Sequence, residues 1–159
     1  MPPTTALIAL LMLMLVPALS APLAQETAPP PPAPQQAELI GELMAFHGTA
    51  TIVSVMTTHC YETAGLDPAY KAAAENWHLR NIGFLDLADR VIEHLGGAGE
   101  GQRETARTYA GSQIMSAYNA APQKDRFCRD FLAKVDDGGF DIDKALPQVL
   151  AEAQAIATQ

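Results

Sequence analysis

Few residues in this chain have the type and spacing to do chemistry, and the two cysteines come first. Cys60 and Cys128 lie 68 positions apart and are the only cysteines in 159 residues. Two thiols can form a structural cross-link, or one can act as a nucleophile if its neighbours hold it as thiolate. Lys124, Arg126 and Arg129 would favour the thiolate at Cys128. No C-x-x-C pair is present to make that thiol a dithiol redox centre, so a Cys60–Cys128 disulfide is the expectation. Closing a loop of this size stabilises a fold by about 4 kcal/mol in the chain-entropy description.

Three patterns resemble metal-ligand sets, and each has a simpler explanation. Glu75-x-x-His78 has the form used in carboxylate-bridged dimetal bundles, but such a site needs a second copy and two further glutamates, and no second Glu-x-x-His occurs. Met44-x-x-His47 and Met56-x-x-His59 offer thioether and imidazole, a copper set. Their twelve-residue offset turns one pair about 120° from the other on a helix, which speaks against one shared site. Asp136, Asp137, Asp141 and Asp143 supply hard oxygens, yet the EF-hand glycine and its closing glutamate are missing. Capping and solvation account for them, with Asp143 expected to cap the last helix. The metal and cofactor expectation is therefore none.

Trp77, Arg80 and Asn81 share one helical turn. Asn81 falls on an otherwise apolar seam, where an amide costs stability unless it is hydrogen-bonded. It either fixes helix register or belongs to a pocket, so Trp77, Arg80 and Asn81 form the candidate ligand-binding group. Nucleophilic catalysis has no support: neither G-x-S-x-G nor H-E-x-x-H occurs, and C-x-x-C-H is absent. The chain is expected to be no enzyme.

The elements that must position these residues are helical. Over 37–63 apolar residues recur as Leu39, Leu43, Phe46, Ala50, Val53, Thr57 and Cys60, an amphipathic stripe although Thr49, Thr51, Thr57 and Thr58 lower helix propensity. Gly65-Leu66-Asp67-Pro68 stops that helix and caps the next, which runs to Leu95 and ends at Gly96-Gly97. Along it Tyr70, Trp77, Phe84 and Val91 alternate with Ala74, Asn81, Ala88 and Leu95, large against small, as antiparallel bundle packing requires. A third helix is predicted over 102–119 with Ala106, Tyr109, Ala110, Gln113 and Ala117 facing inward, and a fourth over 123–135 with Cys128, Phe131, Leu132 and Val135 on one side. A last helix covers about 143–157. No segment alternates with period two. The fold class is all-α, an antiparallel bundle of four to five helices with one disulfide and no sheet.

Ahead of this domain, residues 6–19 form an uncharged apolar run closing on Ala18-Leu19-Ser20, the pattern of a secretory signal cleaved after Ser20. As a helix it rises only about 21 Å, short of the roughly 30 Å that a retained membrane anchor needs. Residues 21–36 are a Pro-rich leader that favours polyproline II, serving as a disordered leader, a stalk, or a ligand for a proline-binding module. The bundle domain is expected over 37–159. The net charge of −8 argues against nucleic acid and anionic membrane as partners. The expectation is an exported protein of the periplasm or extracellular space, not inserted in a membrane after cleavage, and a non-catalytic binding or protein-interaction module. The alternative is a small-ligand or metal-binding bundle.

Overall fold

A computed structural model describes residues 33–97 and 99–158. The expected signal segment 1–20 and most of the Pro-rich leader lie outside the described residues. Six helices pack together in the order α1 (Pro34–Thr63), α2 (Ala69–His94), α3 (Glu100–Ala120), α4 (Lys124–Asp136), α5 (Ile142–Ala145) and α6 (Pro147–Ala157), with no strand among the described residues. The all-α bundle with one disulfide is the observed architecture. Helix α1 starts three residues before the expected domain boundary at 37. Proline at its first position needs no amide partner there, so the Pro-rich segment runs directly into the helix.

Helix α1 is the hub and packs against α2, α3, α4 and α6. All of its predicted stripe is buried except Ala50, which is half-buried, and burial extends to Ile40, Met44 and His47 because neighbours surround it. By length and composition α1 could cross a membrane, but half of its most apolar stretch is packed inside the bundle. Four of its five threonines bond to their own helix, and Thr58 faces solvent. The hydroxyls of Thr49, Thr51, Thr57 and Thr63 donate to the carbonyls four residues back, at 2.7–3.0 Å.

The turns follow the punctuation of the sequence. Leu66 N–H donates to Tyr61 O across Gly65 at φ 74°, and the Asp67 carboxylate accepts from Ala69 N–H at 2.9 Å, capping α2. At its other end Gly97 lies so close to Ile40 that any side chain would collide with the isoleucine. Lys124 closes the α3–α4 corner, its ammonium donating to the carbonyls of Tyr118, Asn119 and Ala121 at 2.6–2.8 Å.

Two expectations need correction. Tyr109, Gln113 and Ala117 of α3 do not face inward: all three are exposed, and Ala110 and Tyr118 are the buried residues of the helix. Ala106, Ala110 and Ala117 are too small to mark the inward phase, which is carried instead by Ile114, Met115 and Tyr118 packed against the core. Asp143 does not cap the last helix. Leu146, at φ −134°, ψ 51°, splits the tail into one turn of α5 and a separate α6 that begins at Pro147, since the residue before proline avoids helical geometry.

Candidate functional site

The turn bearing Trp77, Arg80 and Asn81 is brought together as expected, and what it holds is the protein's own chain. Trp77 Nε1–H donates to Phe140 O at 3.0 Å. Arg80 reaches the Asp141 carboxylate through Nε and Nη2 at 3.1–3.2 Å, and Nη2 also donates to Val135 O at 2.9 Å. Asn81 donates to Trp77 O at 2.8 Å and Asp141 Oδ1 at 3.1 Å, and its own Oδ1 accepts from Ile142 N–H at 2.8 Å. The buried amide thus has its donors and acceptor engaged, which removes its desolvation cost. The three side chains form a clamp on the segment joining α4 to α5.

Asp141 is the residue that sequence reasoning undervalued. Of the four crowded aspartates it alone is buried, while Asp136, Asp137 and Asp143 face solvent. Burial acts most strongly on its carboxyl and raises the pKa. Hydrogen bonds from Arg80 and Asn81, with the charges of Arg80 and Lys144, together outweigh burial and hold it below the ordinary carboxylate value. Gly138 at φ 70° turns the chain so that Asp141 points inward. The Gly138-Gly139 step two residues ahead of it was the available signal.

The cysteines are joined as expected. Cys60 and Cys128 form a disulfide with Cα atoms 5.6 Å apart, tying the end of α1 to α4, and their residues are 0% and 2% exposed. Neither sulfur is a free thiol, so the Cys128 redox reading has no thiolate to act through.

The metal-like patterns disperse. Glu75 and His78 are exposed on α2, while Met44 and Met56 pack in the core. His47 is buried, with Nε2–H donating to Asp89 Oδ1 at 3.0 Å. Arg103 approaches the same oxygen at 3.3 Å, so the group links α1, α2 and the start of α3. His59 stacks edge-on against Tyr118 with centroids 4.4 Å apart, and its Nε2 has no protein hydrogen bond. Among the described residues no three His, Cys, Asp or Glu side chains form a metal-binding group.

An open site lies elsewhere. Helix α3 rests on α1 through small residues: Ala110 Cβ sits 3.4 Å from where a side chain on Gly48 would begin, and Gly111 packs near Thr51 and Val55. Such a thin contact leaves furrows on both sides of α3. One, of about 380 Å³, is lined by Gly41, Met44, Gly48, Ile52, Ala106 and Tyr109, with few polar groups. Tyr109 stands at its rim with 67% of its surface exposed. Sequence reasoning missed this site because it placed Tyr109 in the core, and an open groove exists only where two helices diverge. No family model, curated protein or solved structure matches this chain.

Proposed function

We propose that the mature chain is an exported, non-catalytic interaction module that binds an apolar segment of a protein partner in the α1–α3 groove. The observation that carries this reading is the open groove itself, apolar along its floor and edged by an exposed tyrosine. From Gly41 to Ile52 it follows α1 for about 17 Å, a length suited to a short apolar peptide stretch. Tyrosine contributes a large, stiff contact area with a polar tip, as interface anchors do. The groups with the densest polar chemistry, Arg80, Asn81 and Asp141, are spent on the internal clamp, which supports a binding role over a catalytic one. A buried disulfide fits an oxidising compartment, and with the apolar run at 6–19 it supports export to the periplasm or beyond the cell. The Pro-rich leader then serves as a spacer.

A second reading, a small apolar ligand in the same groove, is favoured by its volume, which lies within the range of small-molecule sites. The two are separated by recovering the protein from its native host and identifying what accompanies it. The interaction reading predicts a protein partner retained by the wild type and by an exposed control, Glu152→Lys, but lost from Tyr109→Asp. Equal retention by all three contradicts it, and a small molecule in place of a protein supports the second reading.

A further inference from the structure

The described chain begins at Ala33, and this residue, which caps α1, already has the backbone of polyproline II, φ −59° and ψ 152°. Its N–H donates to Gln36 Oε1 at 2.9 Å, which ties the end of the leader to the first turn of the helix. Ahead of it stand four consecutive prolines, Pro29 to Pro32. Proline has no N–H, so this run offers ring carbons and carbonyl acceptors and no donor.

A furrow of complementary chemistry opens beside this entry. It has a volume of about 770 Å³ and lies between the first two turns of α1, at Ala37 and Ile40, and the glycine-rich approach to α3, at Gly97, Gly101, Gln102 and Thr105. Positions 33, 37 and 40 are spaced i, i+4 and i+7, so the chain enters α1 on the face that borders the furrow. Gly97 closes the floor against Ile40. Gly101 keeps the far wall low, with nothing within 4 Å of where its side chain would begin. In this first turn of α3 the N–H groups of Glu100 and Gly101 have no acceptor within the helix. The furrow supplies an apolar floor and free donors, and the prolines supply rings and free acceptors.

We infer that Pro29–Pro32 dock in this furrow, the leader doubling back at Ala33 to run antiparallel to the start of α1. The lengths agree. At about 3.1 Å per residue Pro29 reaches about 12 Å from Ala33, and Ile40 lies about 10 Å along the helix from the same point. A proline run is stiff before it binds, so it loses little freedom on docking, and its attachment at Ala33 holds it at high local concentration. Docked, it straps the start of α1 to the start of α3. The prolines stop short of the groove that opens at Gly41, and residues upstream of Pro29 remain as the spacer. The docking therefore stands on its own observations and survives failure of the groove reading.

Nuclear magnetic resonance of the mature, disulfide-bonded protein tests the inference. The expected result is Overhauser contacts from the rings of Pro29–Pro32 to the methyl groups of Ala37 and Ile40, with slowed exchange of the Glu100 and Gly101 amides. Replacing the four prolines by serine should remove the contacts and speed exchange at those two amides about tenfold, as release from a state docked about nine-tenths of the time would. Exchange at Ala110, in the buried middle of α3, should not change. Gly101→Leu, which fills the furrow from α3, should release the leader in the same way. The proline replacement leaves every described residue untouched, so it decides the matter if Gly101→Leu disturbs the start of α3. Absence of the contacts in the mature protein overturns the inference, as does exchange at Glu100 and Gly101 that is indifferent to the proline replacement. So do contacts that, in a mixture of isotope-labelled and unlabelled protein, run from the prolines of one copy to the furrow of another.

Discussion

At the corner where α2 meets the segment after α4, Trp77, Arg80, Asn81 and Asp141 bond to each other and to the carbonyls of Val135 and Phe140. The disulfide joins α4 to α1 from the other side. Along the α1–α3 seam, by contrast, Gly48 meets Ala110 and the flanks lie open. One region is closed by saturated polar groups and a covalent bond; the other is joined by apolar packing, small side chains at Gly48 and Ala110 and, towards the end of α3, Tyr118 against His59. Polar residues gathered on one turn therefore mark a joint in this bundle, and the surface we propose for a partner is the one the fold does not close.

Graded perturbation should separate the two regions. The largest effect is expected at the cross-link: replacing Cys60 and Cys128 by serine should lower unfolding free energy by about 4 kcal/mol, read from denaturant titration. Reductant should act slowly on the native protein, because both cysteines are buried. Next comes the clamp. Asp141→Ala leaves Arg80 and Asn81 without their carboxylate and should cost about 2 kcal/mol. That is less than a fully buried pair would lose, because the Arg80 side chain keeps 38% exposure.

The clamp also predicts a pH dependence. The folded pKa of Asp141 lies below the unfolded value, so the unfolded chain binds its proton first as pH falls. Its contribution to stability is complete above the unfolded carboxylate pKa of about 3.9 and is lost as pH falls through the depressed folded value. Acid titrations of stability should show a shallower decline in Asp141→Asn than in the wild type.

Effects of comparable or smaller size belong to the open seam. Gly48→Leu should force α3 off α1 at a cost of about 1–3 kcal/mol, as overpacking does. Hydrogen exchange should then accelerate across α3 while α2 and α4 stay protected. Smallest of all, Tyr109→Ala should change stability by no more than about 0.5 kcal/mol while abolishing partner binding. A large loss of stability there would mean that Tyr109 belongs to the fold and not to a binding surface.

Much of this architecture was legible in the residues. The 4-3 apolar spacing gave the buried stripe of α1, and Asp67-Pro68 and Gly96-Gly97 bracketed α2 because capping and turn chemistry are local. Cys60 and Cys128 fell on inward faces, and their pairing followed. The Trp77–Asn81 turn was recognised as special, but its partner segment, 60 residues away, was not, since the Gly138-Gly139 step marks a turn without saying which of the four aspartates it directs inward. Helix α3 failed for a related reason. Ala106 and Ala110 carry too little apolar surface to mark which way the helix faces, and Ile114, Met115 and Tyr118, which do pack inward, stand among exposed polar residues, so the phase shows only in the fit of the helix to α1. The groove exists only through that pairing and had no signature in either helix alone.

The claim that the open seam binds and the closed corner only supports can be tested by photo-crosslinking in the native host, with a benzophenone side chain placed at Tyr109 in one protein and at His78, exposed beside the clamp, in another. The account predicts a discrete protein adduct from position 109 and none from position 78. Adducts from 78 with none from 109 would contradict it.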